Sequence, residues 1–121
     1  GFLSGFKKLN DTITANELLI ETTFQLEKDF LNFGVNFDIQ KPVQDYKQLF
    51  SFASTLVSTL NEQAPKQILN LLYHIDLSEE KVQSEMQIST LTFSELLAEL
   101  IVKRELQKVI MKNYYANPEN Q

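Results

Sequence analysis

Three helix-start signals constrain the fold of this chain more than any other feature of its sequence. In each one, a Ser or Thr that can cap a helix N-terminus stands between two apolar residues that pack across the cap as a hydrophobic staple. The caps with their staple residues are Thr14 with Ile13 and Leu18, Ser78 with Leu77 and Val82, and Thr92 with Leu91 and Leu96. Glu17 and Glu95 complete two of the caps as capping boxes. The signals predict helices that begin just after residues 14, 78 and 92.

Two prolines predict two further helices. Pro42 fits the first turn of a helix that ends near Asn61, and Pro65 restarts a shorter helix. The shorter helix has so few polar positions that we expect it to be buried on most sides. The last helix is predicted to run from Phe93 to about Tyr115, because its apolar residues keep helical spacing over that range.

The remaining segments complete an all-α prediction. Apolar residues at helical spacing predict a short N-terminal helix before residue 10, and Gly34 suits the left-handed position after a first long helix. Residues 35–41 alternate like a strand, but one short strand has no sheet to join, so we expect an extended connection there. We therefore predict one bundle of about five helices plus the short N-terminal helix in residues 1–115, and a polar tail in residues 116–121.

Composition bounds the class of protein and its partners. The 121 residues are 43% hydrophobic and 22% charged, which is typical of one globular domain. The net charge of −5 disfavours nucleic acid and anionic membranes as partners. No apolar run approaches a membrane span, so we expect a soluble cytoplasmic protein, the alternative being a leader removed ahead of Gly1. Abundant Lys, Asn and Gln are typical of an AT-rich bacterial genome.

The sequence offers no catalytic, cofactor-binding or metal-binding residues to nominate. It has no Cys, one histidine, no Gly-rich phosphate loop and no nucleophile elbow, so we predict a protein that is not an enzyme and needs no cofactor. We expect His74 to lie buried or at the core boundary with one hydrogen-bond partner. Glu27 falls within an apolar arc, and we expect it to be partly buried against Arg104 or a lysine.

The last helix carries two apolar faces, whereas a peripheral helix needs only one. One face holds Phe93 and its neighbours at helical spacing. The other, roughly opposite, is a seam of Val102, Leu106, Val109 and Ile110. One interpretation is that this is the central helix of the bundle, flanked on both sides, and the other is that the seam meets its own copy in a second subunit; the two can coexist.

A basic stripe of Arg104, Lys108 and Lys112 lies on the same helix. It is a candidate anion contact, although cations also favour helix C-termini for electrostatic reasons alone. Since Phe52 falls off the main stripe of its helix, we expect a contact surface there if that ring is exposed.

These observations predict a non-enzymatic interaction or assembly module, with a homodimer through the last helix as the specific hypothesis. The partner is then a protein, either another copy or a different chain. The alternative is a helical protein that binds a small apolar ligand in a phenylalanine-lined cavity. A helix-turn-helix nucleic-acid binder built from residues 79–88 and 93–115 ranks third, because the chain is acidic.

Overall fold

The computed structural model describes residues 14–36 and 42–116, and within those ranges it contains five α-helices and no strand. The helices are α1 (Ala15–Leu31), α2 (Tyr46–Gln63), α3 (Ile68–Ile75), α4 (Glu79–Ile88) and α5 (Phe93–Ala116). A 3₁₀ turn at Pro65–Gln67 leads into α3. The all-α bundle is therefore confirmed. The N-terminal helix, most of the extended connection and nearly all of the polar tail lie outside the described residues.

The predicted caps begin the helices where the sequence places them. Thr14 and Ser78 each accept a hydrogen bond from the backbone N–H three residues further on. Thr92 and Glu95 form the full capping box, because each side chain accepts from the other's backbone N–H at 3.2 Å. These hydrogen bonds with Thr92 lower the pKa of the Glu95 carboxyl. Local side-chain chemistry thus fixes the starts of α1, α4 and α5.

The start of α2 differs from the prediction. Asp45, not Pro42, caps this helix, and its Oδ1 accepts from the Gln48 N–H at 2.8 Å. Gln48 reaches back to accept from the Gln44 N–H at 2.9 Å. The second bond goes to the residue before the cap, whereas in a capping box it goes to the N–H of the cap residue itself, so the two bonds hold the helix start without forming a capping box. An oxygen that accepts from an otherwise unpaired N–H of the first turn stabilises a helix start, whereas a proline is only compatible with a helix start.

The end of α1 follows the prediction at Gly34. The Gly34 N–H donates to the Leu31 carbonyl and the Val35 N–H donates to the Phe30 carbonyl, both at 3.0 Å. This pair of bonds is a Schellman motif, which needs a left-handed residue at the glycine position. Gly34 supplies it with a φ of 82°.

Helix α3 is buried on one face only, which corrects the expectation of burial on most sides. Ile68, Leu71 and Ile75 lie in the core, whereas Tyr73 is 81% exposed. The helix lies at the edge of the bundle and presents the rest of its apolar surface to solvent. Among the described helices, none combines the length and the apolar character that a membrane span requires.

Helix α5 is the centre of the bundle, since it packs against α1, α2, α3 and α4. Both of its apolar faces are buried inside this one chain. The predicted seam is part of that core, with Val102, Leu106, Val109 and Ile110 at most 6% exposed. The seam is therefore not a surface that a second subunit can contact. Packing within the chain accounts for both faces.

Replacing Leu106 with Asp is expected to unfold the protein, because the charge would replace a side chain that is 2% exposed. Loss of the side chain alone costs about 2–5 kcal/mol. The control is Met111→Asp on the same helix, where the side chain is 47% exposed and the expected loss is below about 1 kcal/mol. Chemical denaturation followed by circular dichroism measures both. A Leu106→Asp variant that stays folded while losing a subunit partner would contradict this placement.

Candidate functional site

Two carboxylic acids lie in the core of the described chain. Asp29 on α1 is 3% exposed and Glu105 on α5 is fully buried. Burying a charged group without a partner costs several kcal/mol, so such residues are paired, neutralised or functional. We call Asp29 and Glu105 the acid pair, and its chemistry is the least ordinary feature of the interior.

Two side chains hold Asp29 in place. Oδ1 accepts a hydrogen bond from Gln25 Nε2 at 2.9 Å and lies 3.1 Å from His74 Nε2. The same His74 nitrogen lies 3.4 Å from Asn32 Nδ2. These two histidine contacts alternate, because Nε2 donates to Asp29 when it carries a proton and accepts from Asn32 when it does not. With a side chain that is 42% exposed and two polar contacts, His74 is more exposed than the sequence predicts and has one contact more than expected.

Glu105 has no comparable donors. Neither of its carboxyl oxygens accepts a hydrogen bond from an N–H or O–H group of the described residues. Burial raises the pKa of Glu105 from 4.5 to about 8, and the negative charge of Asp29 and a hydrogen bond with its side chain act in the same direction. Lys108 and Arg104 oppose the shift. At neutral pH, Glu105 therefore carries a proton that it can donate to Asp29.

The acid pair resembles the shared-proton carboxyls of acid–base catalysts, in which two acids close together cannot both ionise. A catalyst, however, must touch its substrate. The exposures of 0% and 3% leave a substrate no surface of Glu105 or Asp29 to contact. The geometry thus supports a proton held in the core and a pH-dependent stability.

The three residues of the basic stripe, predicted as an anion contact, do not share one site in the structure. Arg104 is used within the fold, where Nε donates to the Ile75 carbonyl at 3.3 Å and Nη2 to the Asp76 carboxylate at 3.0 Å. It holds the C-terminal end of α3. Lys108 and Lys112 instead line a groove between α1 and α5. An anion in that groove would not meet Arg104 as its main contact.

The groove brings a third lysine to the other two. We call it the lysine groove: it has a volume of about 650 Å³ and is open along its length. Its lining is Glu21, Phe24, Gln25 and Lys28 from α1, and Lys108, Val109, Lys112 and Asn113 from α5. Asn113 Nδ2 donates to Glu21 at 3.1 Å and so ties the two helices together. Gln25 also holds Asp29, so this groove and the acid pair share a wall.

Helix α1 exposes a second apolar surface on the side away from the core. Ile20 is 42%, Phe24 66% and Leu31 57% exposed. At 3.6 residues per turn these three positions fall within about 40° of one another, opposite the buried face of the helix. We call this surface the outer face of α1.

The other predicted sites are ordinary packing. Phe52 is half-buried and packs against the core, so the structure does not present it as a contact surface. Phe30 lies in the core, whereas Phe24 lies in an open groove beside lysines. Glu27 is half-buried, and the fully buried acids are Asp29 and Glu105 instead.

Sequence reasoning missed the acid pair although a signal was present. Asp29 lies three residues after Leu26, on the stripe that faces the core. Glu105 lies three residues after Val102 and four before Val109, inside the predicted seam. An acid at the centre of an apolar stripe is predicted to be buried by the same periodicity that buries its neighbours.

The acid pair makes stability depend on pH in a defined direction. Because the folded protein keeps the Glu105 proton up to about pH 8 and the unfolded chain releases it near pH 4.5, the folded state binds more protons between those values. The contribution is present in full below pH 4.5. It falls by roughly 3 to 5 kcal/mol as the pH rises through 8.

Urea denaturation from pH 5 to pH 9 measures this effect. Glu105→Gln is expected to remove it, because the amide stays neutral and still donates to Asp29, and this variant should exceed the wild type in stability above pH 8. Glu62→Gln on the exposed surface of α2 is the matched control and should keep the pH profile of the wild type. A wild-type profile as flat as that of Glu105→Gln would contradict the assignment.

No protein-family model matches this chain, and no curated protein or solved structure is similar to it. Residues 14–36 and 42–116 also contain no cluster of three or more His, Asp or Glu side chains placed to hold a metal ion. The function therefore has to be argued from the acid pair, the lysine groove and the outer face of α1 themselves.

Proposed function

We propose that this protein is a non-enzymatic interaction module and that the outer face of α1 is its binding surface. The observation that carries the proposal is the exposure of Ile20, Phe24 and Leu31 on one side of a helix whose opposite side lies in the core. Scattered exposed apolar residues are normal on a protein surface, whereas an aligned row of large ones marks a contact site.

The spacing of this row fits one particular kind of contact. Ile20, Phe24, Glu27 and Leu31 follow one another at intervals of four, three and four residues. That is the a/d spacing with which one helix packs along another in a coiled coil. Glu27 takes one of the four positions, and a polar residue within such a seam can set its register. The outer face therefore suits a single further helix laid along α1.

A rough magnitude shows what else the partner must contact. Full burial of one large apolar side chain contributes about 1.5–3 kcal/mol, and these three are about half exposed. Covering them contributes about 3–4 kcal/mol, which corresponds to a dissociation constant no tighter than roughly millimolar. A useful complex therefore needs further contacts beside the outer face.

The non-enzymatic part of the proposal is supported by the burial of the acid pair, which a substrate does not reach. The module part no longer involves the seam on α5, because those side chains pack inside the chain. The surplus apolar face lies on α1 instead. A second copy of the chain and a different protein are both compatible with a surface of this kind.

A photo-crosslinking amino acid tests the proposal in the native host cell. Benzoylphenylalanine replaces Phe24 with little change in shape, and the matched control places it at Tyr73, an aromatic residue that is 81% exposed on α3. We expect a discrete protein adduct from position 24 that is absent from position 73. Adding Ile20→Asp should abolish the adduct, because the charge breaks the apolar row while the fold is unaffected.

The same measurement can contradict the proposal. Identical adducts from positions 24 and 73, or an adduct at 24 that survives Ile20→Asp, would show that the outer face of α1 has no binding role. The mass of the adduct also separates a second copy of this chain from a different protein. Circular dichroism of each variant confirms that the helices are intact.

A further inference from the structure

We propose that the segment bound on the outer face of α1 is an acidic amphipathic helix of another protein, whose carboxylates bind the lysine groove. This inference rests on the proposed function, and it names the chemistry of the partner. It joins two surfaces that the sequence did not connect: the exposed apolar row of α1 and the lysines that face it from α5.

The two surfaces are continuous because Phe24 belongs to both. It lies in the apolar row and also lines the groove with Lys28, one turn further along α1. Across the groove, Lys108 and Lys112 stand one turn apart on α5. A helix that packs on Phe24 therefore has the lysines along one flank. Carboxylates spaced four residues apart on that flank match the spacing of the Lys108 and Lys112 ammonium groups.

The lysines of the groove differ from the other cations of α4 and α5. Lys81, Lys103 and Arg104 each lie within 4 Å of a carboxylate, in ion pairs with Glu85, Glu99 and Asp76. None of the ion pairs formed by the described residues includes Lys28, Lys108 or Lys112. These three ammonium groups are therefore available to an external anion.

The local charge is opposite to the charge of the whole chain. Among the described residues, the groove is lined by three lysines and one acid, Glu21, and these give a local charge of +2. Glu21 accepts a hydrogen bond from Asn113 and is held against the groove wall. The chain as a whole carries −5. A cationic groove beside an apolar row on an acidic protein is complementary to an anionic segment with an apolar face.

The apolar row favours an acidic helix over the other polyanions. A nucleic-acid backbone would neutralise the lysines but leave Ile20 and Leu31 uncovered. Glu17 lies near the row on α1 and would repel phosphates or an anionic membrane surface. A helix can place apolar residues over the row, carboxylates over the groove and neutral or basic residues elsewhere. It therefore covers the row, neutralises the lysines and avoids repulsion by the acid near the row.

A matched pair of synthetic peptides tests the inference with the full chain. Both are eighteen-residue helices with leucine at the a/d positions and neutral residues on one flank. On the other flank, one peptide carries glutamate and the other carries lysine at the same positions. Binding is followed by fluorescence anisotropy of the labelled peptide. We expect the glutamate peptide to bind at least about tenfold more tightly than the lysine peptide, with an affinity that falls as salt is raised.

Charge reversal in the groove gives the decisive comparison. The double variant Lys108→Glu, Lys112→Glu should weaken the glutamate peptide at least about tenfold and reverse the preference between the peptides. The control variant Lys47→Glu, Lys66→Glu changes the net charge by the same amount at exposed lysines away from the groove, and it should change neither affinity more than about twofold.

The outcomes separate this inference from the proposed function. Equal binding of both peptides, lost on Phe24→Asp, would keep the outer face as a binding surface and overturn the acidic partner. If neither peptide binds, the acidic-helix inference is wrong. If a peptide binds but Phe24→Asp leaves its affinity unchanged, both the inference and the assignment of the outer face of α1 as a binding surface are wrong.

Two further probes cover the competing partners. The first probe is a phosphatidylserine vesicle or a DNA duplex. If either binds more tightly than the glutamate peptide, and the Lys108→Glu, Lys112→Glu variant loses that binding, the partner is that polyanion and not an acidic helix. A concentration-dependent dimer in light scattering that Phe24→Asp abolishes would overturn it in favour of a second copy. A protein that stays monomeric and binds the vesicles and the DNA more weakly than the glutamate peptide supports the acidic helix.

Discussion

The central position of α5 is the constraint on which the rest of the structure depends. Since α1, α2, α3 and α4 all pack against it, each of these helices needs only one apolar face to complete the core. An apolar face beyond that one has no internal use. By this criterion α1 and α3 both carry surplus apolar surface, with the aligned row on α1, and the two faces of α5 are both accounted for by its neighbours.

The acid pair is the part of this core that is unfavourable to bury, and its contribution to stability depends on protonation. Glu105 stands on the central helix, with Asp29 facing it from α1, so both cannot carry a charge without a large electrostatic penalty. A proton on Glu105 resolves the conflict by turning a repulsive pair into a donor and an acceptor. Gln25 and His74 then hold Asp29 from its other side. The contact between α1 and α5 is thus stable for as long as that proton is retained.

Much of the fold could be predicted from the sequence because helix starts are local. The Thr14, Ser78 and Thr92 caps need only the next few residues to form, and all three are where the sequence places them. The Pro42 start was wrong because Asp45 supplies an oxygen that binds an N–H of the first turn, which outweighs a proline that merely tolerates the position. The start of α2 is therefore also set by local chemistry, but by Asp45 and not by Pro42.

The candidate sites could not be predicted as easily, because they depend on which helices meet. Periodicity identifies an apolar face but not what covers it, so the seam at Leu106 and the row at Phe24 are equivalent in the sequence. Packing distinguishes them: Leu106 is 2% exposed and Phe24 66%. Lys28 joins Lys108 and Lys112 only because α1 lies beside α5. No pattern within one helix contains that information.

The charge distribution sets a condition on any acidic partner of this protein. At physiological ionic strength, charges are screened beyond about 8 Å, so a distant acidic helix experiences little of the −5 net charge and little of the lysine groove. Near contact the groove attracts, whereas Glu17 beside the apolar row repels. Attraction therefore exists only when the carboxylates of the partner face Lys108 and Lys112. The apolar row supplies most of the contact and the groove decides the orientation, so a helix bound in the reverse sense or rotated by half a turn loses the electrostatic contribution and meets repulsion instead.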